Sequence, residues 1–161
     1  MKCAHLDMWN RAHKDHPFVI GIGDGSLSID KFCYYLSQDY LFLIGYCRVV
    51  AMAVAKSPDI DSMGRWARLL DETLNSEMDI HRNFCSEFGL SVNQLESTIP
   101  SATTLGYVEH LLKIAKEGSI EEISAAMLPC QWGYDEIGRS LERNMTSPMD
   151  SSYNRWVTGY C

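Results

Sequence analysis

Apolar residues recur along most of this chain at spacings of three and four, the period that places side chains on one face of an α-helix. The pattern predicts a short helix over residues 6–13, and a second that Ser28 or Asp30 caps and that runs to about residue 55. A third helix is predicted over residues 62–88, and its predicted inward face includes Met63, Leu74 and Phe84. Because Gly89 follows its last apolar residue, we expect this glycine to end the helix in a left-handed conformation.

The glycine-rich residues 21–25, between the first two helices, predict a loop. Their G-x-G-x-G spacing also occurs in dinucleotide-binding sites. Such a site needs a strand before the glycines, and no strand pattern precedes them here. A plain turn is therefore the simpler interpretation.

The second half of the chain continues the helical pattern. A fourth helix is predicted after Pro100 and Ser101, and it ends at Gly118. Ser119 and Glu122 have the spacing of a capping box and begin a fifth helix. The apolar seam of the fifth helix is formed by Ile120, Ile123, Met127, Cys130, Tyr134, Ile137 and Leu141. Its regular alternation of three and four predicts burial along one whole face.

A last helical segment begins near Pro148. Its apolar residues at helical spacing are Tyr153, Trp156, Val157 and Tyr160. No stretch alternates between apolar and polar residues for long enough to form a strand. We therefore expect an all-α protein, a single domain over residues 1–161 that is built as a bundle of long helices.

Composition and charge exclude several classes of protein. With 46% hydrophobic and 22% charged residues, the chain is typical of a globular domain. The net charge of −7 and the absence of a lysine and arginine cluster argue against nucleic-acid binding. No uninterrupted apolar run has membrane-spanning length, so we expect a cytoplasmic protein without a membrane partner. The six cysteines are scattered without a C-x-x-C pair and are expected to be reduced.

Asp39 is a carboxylate on an apolar helical stripe. It lies three residues after Leu36 and four before Leu43, so its side chain points where the aliphatic side chains point. Burying an unpaired carboxylate costs several kcal/mol or forces protonation. Two interpretations stay open: a tyrosine hydroxyl or an arginine of a neighbouring helix pairs with Asp39, or the carboxylate binds a ligand's amino group. In the second case Phe42, one turn along, would line the same cavity.

Cys130 follows Pro129 inside the fifth predicted helix. A proline there removes one backbone hydrogen bond and is expected to kink the helix, which can open space around the thiol. One interpretation is an inert thiol in the core, and the other is a nucleophile, which needs nearby hydrogen-bond donors or cations. Tyr134, one turn later on the same face, is a candidate donor.

Two further groups of residues allow a structural and a functional interpretation. Glu77 and His81, at i and i+4 on the third helix, are expected to pair with each other. Alternatively, the two side chains are the first ligands of a metal site. Because no Glu-x-x-His motif of a di-iron bundle occurs in the sequence, we expect no metal. Three tyrosines, with Phe42, either pack in the core or form an aromatic box for a flat heterocycle. They are Tyr107, Tyr134 and Tyr160.

Five segments of the chain together carry a family resemblance. They are His16-Pro-Phe-Val with Gly21-Ile-Gly-Asp-Gly25, Gln38-Asp-Tyr-Leu-Phe42, Glu77-Met-Asp-Ile-His-Arg82, Leu128-Pro-Cys-Gln-Trp132, and Tyr153-Asn-Arg-Trp156 through Tyr160. In this order the chain resembles the TenA family, the thiaminase II or aminopyrimidine aminohydrolases. The resemblance implies the haem-oxygenase-like multi-helix bundle, here C-terminally short.

The resemblance also implies an activity and a set of site residues. The family's enzymes release 4-amino-5-hydroxymethyl-2-methylpyrimidine from thiamin or from an aminopyrimidine, which serves thiamin salvage. By position, Cys130 matches the nucleophile of the cysteine-containing branch, and Asp39 matches the carboxylate that binds the ring nitrogen and the 4-amino group. The other implied residues are Phe42, Tyr107 and Tyr134 in the pyrimidine pocket and Tyr160 beside the thiol, with no cofactor. A homotetramer is the implied assembly.

The chain departs from the family pattern at its C-terminal end. Family chains continue for two more helices, and the last of these carries a glutamate that protonates the ring. No residue here matches that glutamate, and Glu136 does not replace it by position. Loss of a general acid typically costs about 10²–10⁴-fold in rate, so we expect impaired turnover. The alternatives are a non-catalytic pyrimidine-binding or regulatory relative and a metal-dependent oxidase of the same fold.

Overall fold

The computed structural model describes residues 5–146 and 152–159. Within these ranges the regular structure is helical, which confirms the predicted all-α class. The helices are α1 (Leu6–His13), α2 (Pro17–Asp24), α3 (Ile29–Lys56), α4 (Ile60–Glu72), α5 (Met78–Glu87), α6 (Val92–Glu96), α7 (Ala102–Glu117), α8 (Ile120–Asn144) and α9 (Ser152–Thr158). A π-helical turn, Thr73–Glu77, joins α4 to α5.

The chain folds into two compact units. We call residues 32–127 the central unit, and the described residues up to 31 and from 128 onward the N/C unit. The core of the central unit is contributed by α3, α7 and the first turns of α8. Its buried members are Tyr46, Val49, Val50, Ala53, Leu111, Ala115, Ile123 and Met127. This core fixes α3 against α7, the two helices that carry Asp39 and Tyr107.

Gly45 allows α3 and α7 to approach each other closely. A Cβ atom at this position would lie 2.5 Å from Cγ1 of Val108 on α7, a distance that real Cβ contacts do not reach. A methyl group here would therefore force the two helices apart. Gly45 lies inside a regular helix and has no positive φ. It is therefore needed for the space between the two helices and not for an unusual backbone conformation.

Several predicted helix ends are confirmed. Ser101 accepts a hydrogen bond from the backbone N–H three residues on, at 3.1 Å, and begins α7. The Ser119–Glu122 capping box is closed by hydrogen bonds of 2.7 and 3.3 Å. Gly89 has a φ of 79°, and the N–H groups of residues 89 and 90 satisfy carbonyls of the last turn of α5.

The predicted loop over residues 21–25 is wrong, because most of it belongs to α2. Pro17 is the first residue of that helix, and the His16 side chain accepts a hydrogen bond of 3.2 Å from the backbone N–H two residues on. Proline at this position loses no helical hydrogen bond, since the first N–H groups have no partner within the helix. Of the stretch, only Gly25 has a positive φ, 79°, as the residue that ends α2.

The predicted third helix, residues 62–88, is interrupted by the π turn Thr73–Glu77. A π turn inserts an extra residue and rotates the following helix relative to the preceding one. A single 3.6-residue stripe therefore does not continue across it. Met63 and Leu74, predicted to face inward, are 36% and 42% exposed, whereas Phe84, beyond the turn, is buried as predicted.

Within the described part of the chain, α3 is the one helix long and apolar enough to cross a membrane by length and composition. Core helices of globular proteins meet the same criteria. Eleven residues of α3 are buried inside the protein, and five of its residues are charged, namely Asp30, Lys31, Asp39, Arg48 and Lys56. We therefore describe α3 as a core helix.

Candidate functional site

Asp39 is buried on α3 against His81 of α5. The Nε2 atom of His81 lies 2.8 Å from Oδ2 of Asp39, and the two side chains are 2% and 10% exposed. The hydroxyl of Tyr35, one turn earlier on α3, donates to the same Oδ2 at 3.0 Å. Asp39 is thus paired, as the first interpretation expected. Its partners are Tyr35 of its own helix and His81 of α5, so the neighbouring helix contributes a histidine rather than a tyrosine or an arginine.

The second carboxylate oxygen of Asp39 is differently placed. Among residues 5–146 and 152–159, no donor forms a hydrogen bond to Oδ1, since both donors converge on Oδ2. The Asp39 side chain is 10% exposed, and a carboxylate oxygen at such a place accepts hydrogen bonds from water or from a ligand. The ligand-binding interpretation of Asp39 therefore stays open beside the pairing that the structure shows.

The predicted pairing of Glu77 with His81 takes place through the main chain and through charge. The Nδ1 atom of His81 lies 3.0 Å from the backbone carbonyl oxygen of Glu77, and the other ring nitrogen is occupied by Asp39. The i, i+4 spacing does bring these two residues together, but through the main chain. The Glu77 carboxylate acts on the imidazole through its charge.

The protonation of His81 follows from two opposed effects. Burial acts most strongly and lowers the pKa of His81. The hydrogen bond and charge of Asp39, together with the carbonyl and charge of Glu77, outweigh burial, so the His81 pKa lies above its ordinary value. This environment favours an imidazolium beside a carboxylate.

Gln38, the residue before Asp39, holds the beginning of α7. Its Oε1 atom accepts hydrogen bonds of 2.8 Å from the Ser101 N–H and from the Thr104 hydroxyl, and its Nε2 donates to the Ile99 carbonyl at 3.1 Å. Sequence reasoning missed this role. The available signal was a second polar residue next to Asp39 in a long, largely apolar helix.

Two of the predicted pocket residues stack on each other in the central unit. The rings of Phe42 and Tyr107 have centroids 5.4 Å apart and planes that differ by 7°. Phe42 lies one turn after Asp39 on α3, so the structure brings these three predicted site residues close together. At this spacing the two rings are in contact, and a heterocycle would stack on an outer face rather than between them.

The N/C unit carries the predicted thiol. Cys130 and Tyr134 lie one turn apart on α8, both half-buried, and α8 continues through Pro129 as one helix. The Tyr134 ring lies 6.4 Å from the ring of Trp156, which is buried on α9. Tyr160 lies outside the described residues. Among the described residues, Cys33, Cys47, Cys85 and Cys130 are not joined in disulfides.

A second polar cluster in the N/C unit was not predicted. Glu136 of α8 accepts a hydrogen bond of 2.9 Å from the indole of Trp9 on α1 and one of 3.0 Å from the indole of Trp132. The ring of His13 stacks on Trp9 with centroids 4.0 Å apart. The i, i+4 spacing of Trp132 and Glu136 was the signal in the sequence for this cluster. Trp9 could not be assigned to it in the same way, because it is distant along the chain.

Each unit offers groups of a different chemistry. In the central unit a carboxylate oxygen can accept N–H groups and aromatic rings can stack on a flat heterocycle, whereas in the N/C unit a thiolate can add to an electron-poor ring. In the described ranges no three His, Cys, Asp or Glu side chains are grouped as a metal site would require.

The sequences of two relatives align with nearly the whole chain. An aminopyrimidine aminohydrolase of Halalkalibacterium halodurans is 42% identical over 95% of this chain and 68% of its own length. An aminopyrimidine aminohydrolase of Bacillus subtilis is 37% identical over 90% of this chain and 61% of its own length. The chain thus spans about two thirds of the length of these relatives.

Solved structures agree with this likeness. A TenA family transcription regulator from Silicibacter sp. TM1040 superposes with a TM-score of 0.89 at 34% identity, covering 98% of this chain and 68% of that one. A TenA homologue from P. horikoshii OT3 gives a TM-score of 0.88 at 26% identity, covering 99% of this chain and 74% of that one. The predicted haem-oxygenase-like helical fold is confirmed by these matches. Residues 4–161 match the family described as TENA/THI-4/PQQC, and the chain belongs to that family.

Proposed function

We propose that this chain is an aminopyrimidine aminohydrolase of thiamin salvage, which releases 4-amino-5-hydroxymethyl-2-methylpyrimidine. Relatives of that name at 37–42% identity support the proposal. The observation that carries it is the state of Asp39. This carboxylate, 10% exposed, has one oxygen held by His81 and Tyr35, and the other accepts no hydrogen bond from the described residues.

In the proposed complex, Asp39 recognises the pyrimidine. Its Oδ1 accepts an N–H of the 4-amino group or of the protonated ring nitrogen. A hydrogen bond to a charged partner contributes about 1.5–3 kcal/mol. Phe42 and Tyr107 supply an aromatic surface on which the flat ring stacks. A small-molecule aminopyrimidine or thiamin is therefore the proposed partner.

Cys130 is the proposed nucleophile. Its thiolate adds to the pyrimidine ring, and the electron pair displaced by the new C–S bond is taken up at a ring nitrogen that gains a proton. The dearomatised ring then expels the amine from the exocyclic methylene, and water adds to that carbon. Loss of the Cys130 thiolate and of a proton restores the aromatic ring. Tyr134 and Tyr160 are proposed to donate hydrogen bonds near the sulfur. We propose a cytoplasmic homotetramer as the working form.

The proposal is tested with the 161-residue chain and two cysteine variants. Wild-type protein is incubated with the 5-aminomethyl pyrimidine, and the hydroxymethyl product and ammonia are quantified by chromatography. We expect turnover that Cys130→Ala abolishes and that Cys33→Ala, at another half-buried thiol, leaves intact. Equal turnover in wild type and Cys130→Ala would reject the nucleophile.

The second candidate is a pyrimidine-binding regulator, favoured by the likeness to a structure named a TenA family transcription regulator. It predicts binding of the hydroxymethylpyrimidine in calorimetry with no product from the aminomethyl compound. Turnover of the aminomethyl compound by the wild-type chain would exclude it.

A further inference from the structure

Both ring nitrogens of His81 face hydrogen-bond acceptors. Nδ1 lies 3.0 Å from the carbonyl oxygen of Glu77, and Nε2 lies 2.8 Å from Oδ2 of Asp39. A carbonyl oxygen only accepts, so Nδ1 carries a proton. A second proton must lie between Nε2 and Oδ2, since two lone pairs at this distance would repel each other. The His81–Asp39 pair therefore contains two exchangeable protons and has no net charge.

The carboxylate is the favoured form of Asp39 in this pair. Tyr35 also donates to Oδ2, at 3.0 Å, so this oxygen receives two donors. An unprotonated carboxylate oxygen accepts from both donors, whereas a protonated one would place its own proton against them. The resulting imidazolium is 1% exposed, and it neutralises the charge of Asp39 without using Oδ1.

The main chain before His81 is irregular. The π turn Thr73–Glu77 ends at the residue whose carbonyl accepts the Nδ1–H of His81. Its extra residue sets the rotation of α5, which turns His81 inward toward α3. Single π turns inside helices are often found at functional sites. An ordinary helix through residues 73–77 would place His81 about 100° away around the helix axis.

We propose that His81 is the positioning residue of Asp39, holding Oδ2 and its neutralising proton so that Oδ1 faces the amino group of an aminopyrimidine. This inference rests on the proposed function, which needs Asp39 as the pyrimidine-binding carboxylate. His81 itself does not touch the substrate in this arrangement. Its effect on catalysis passes through Asp39, and this dependence is what an experiment can detect.

A double-mutant cycle tests the dependence. The KM and kcat for the 5-aminomethyl pyrimidine, and the Kd of the hydroxymethyl product, are measured for wild type, His81→Gln, Asp39→Asn and the double variant. We expect His81→Gln to raise KM and Kd by about tenfold when Asp39 is present, and to add less than about twofold in the Asp39→Asn background. A merely structural role would lower stability without this coupling.

Phe84→Leu is the matched structural control. Phe84 is buried on α5 one turn from His81 and packs edge-on against Phe32. We expect this variant to lower the Tm and to leave KM within about twofold of wild type. If it raises KM as much as His81→Gln does, loosening of α5 explains the effect and the inference is overturned.

A spectroscopic measurement keeps the test independent of turnover and of the folding of His81→Gln. In ¹⁵N-histidine-labelled protein, both ring nitrogens of His81 should be protonated in wild type. In Asp39→Asn, Nε2 should lose its proton. A neutral imidazole in wild type would overturn the inference.

The outcomes separate the inference from the proposed function. Wild-type turnover with additive effects of His81→Gln and Asp39→Asn overturns the inference alone. A wild-type chain that neither binds nor converts the aminopyrimidine rejects the proposed function, and with it the substrate assigned to Oδ1.

Discussion

The two units hold a carboxylate in different ways. In the central unit, His81 and Tyr35 both donate to one oxygen of Asp39 and leave the other without a donor among the described residues. In the N/C unit, the indoles of Trp9 and Trp132 donate to Glu136, one to each oxygen. The donors thus leave one oxygen of Asp39 open to a further donor, whereas at Glu136 they link α1 to α8.

The partners also differ in charge. An indole N–H donates a hydrogen bond without titrating. The partner of Asp39 is an imidazole, a group whose charge changes with pH. Stability of the Asp39–His81 pair should therefore depend on pH.

The largest effect is expected from removing the two carboxylates in turn. Asp39→Ala leaves the imidazole of His81 buried without its acceptor, which costs about 3 kcal/mol, the lower end for a broken buried pair because the imidazole can release its proton. Glu136→Ala removes two partly exposed hydrogen bonds and should cost about 1–2 kcal/mol. Urea unfolding of both variants measures the difference. An equal or larger loss for Glu136→Ala would contradict the comparison.

A smaller effect is expected from adding a methyl group at one glycine of each unit. At Gly45 the new Cβ would lie 2.5 Å from the stiff, branched side chain of Val108, so Gly45→Ala should cost about 1–3 kcal/mol. At Gly133 the new Cβ meets the far end of the His13 ring, which can swing away. The gain in helix propensity, about 1 kcal/mol, should leave Gly133→Ala near neutral.

The two glycine variants are followed by different measurements, one for each unit. Gly45→Ala should separate Phe42 from Tyr107 and weaken pyrimidine binding in calorimetry. Gly133→Ala should change only the fluorescence of Trp9, because His13 leaves its stacked position. Unchanged stability in Gly45→Ala would show that α3 and α7 approach less closely than the structure indicates.

Much of the helical framework could be predicted from the sequence, because its signals are local. Caps such as Ser101 and Ser119 act within four residues, and the apolar stripe of α3 showed that Asp39 points inward. The loop predicted for residues 21–25 was wrong because three glycines were given more weight than Pro17, which begins a helix.

The partners within the site could not be predicted in the same way. Asp39 meets His81 across 42 residues, and the π turn between α4 and α5 sets the face on which His81 lies. A π turn leaves no mark in a 3.6-residue pattern until the misplaced residues, such as Leu74, are seen to be exposed. The stacking of Phe42 on Tyr107 depends on which helix packs against Gly45, and helical periodicity does not specify that neighbour.

A dependence on pH is expected in the central unit. Because the folded-state pKa of His81 lies above its ordinary value of 6.5, protonation stabilises the folded protein. This contribution is fully present below the ordinary pKa and is lost as the pH rises through the raised one. The stability difference between wild type and His81→Gln should therefore shrink from about pH 6 to about pH 9.

Phe84→Leu offers the control for this pH series. This variant should lower stability by the same amount across the same range, since it exchanges one buried hydrocarbon side chain for another and removes no titratable group. Urea unfolding at several pH values measures both differences. A difference for His81→Gln that grows with pH would contradict the assigned protonation of the pair.

The smallest effect is expected at Cys85, where alkylation should be undetectable in the folded protein. Burial raises the pKa of the Cys85 thiol to about 11, with a further contribution from nearby Cys33, so at about pH 8 only about one molecule in a thousand carries the thiolate. Cys130 in the N/C unit is half-buried, and a nucleophilic thiol there should react first. Peptide mapping after brief iodoacetamide treatment compares the two, and unfolding in urea should make them equally reactive. If Cys85 were labelled in the folded chain as fast as Cys130, burial in the central unit would not suppress its thiolate.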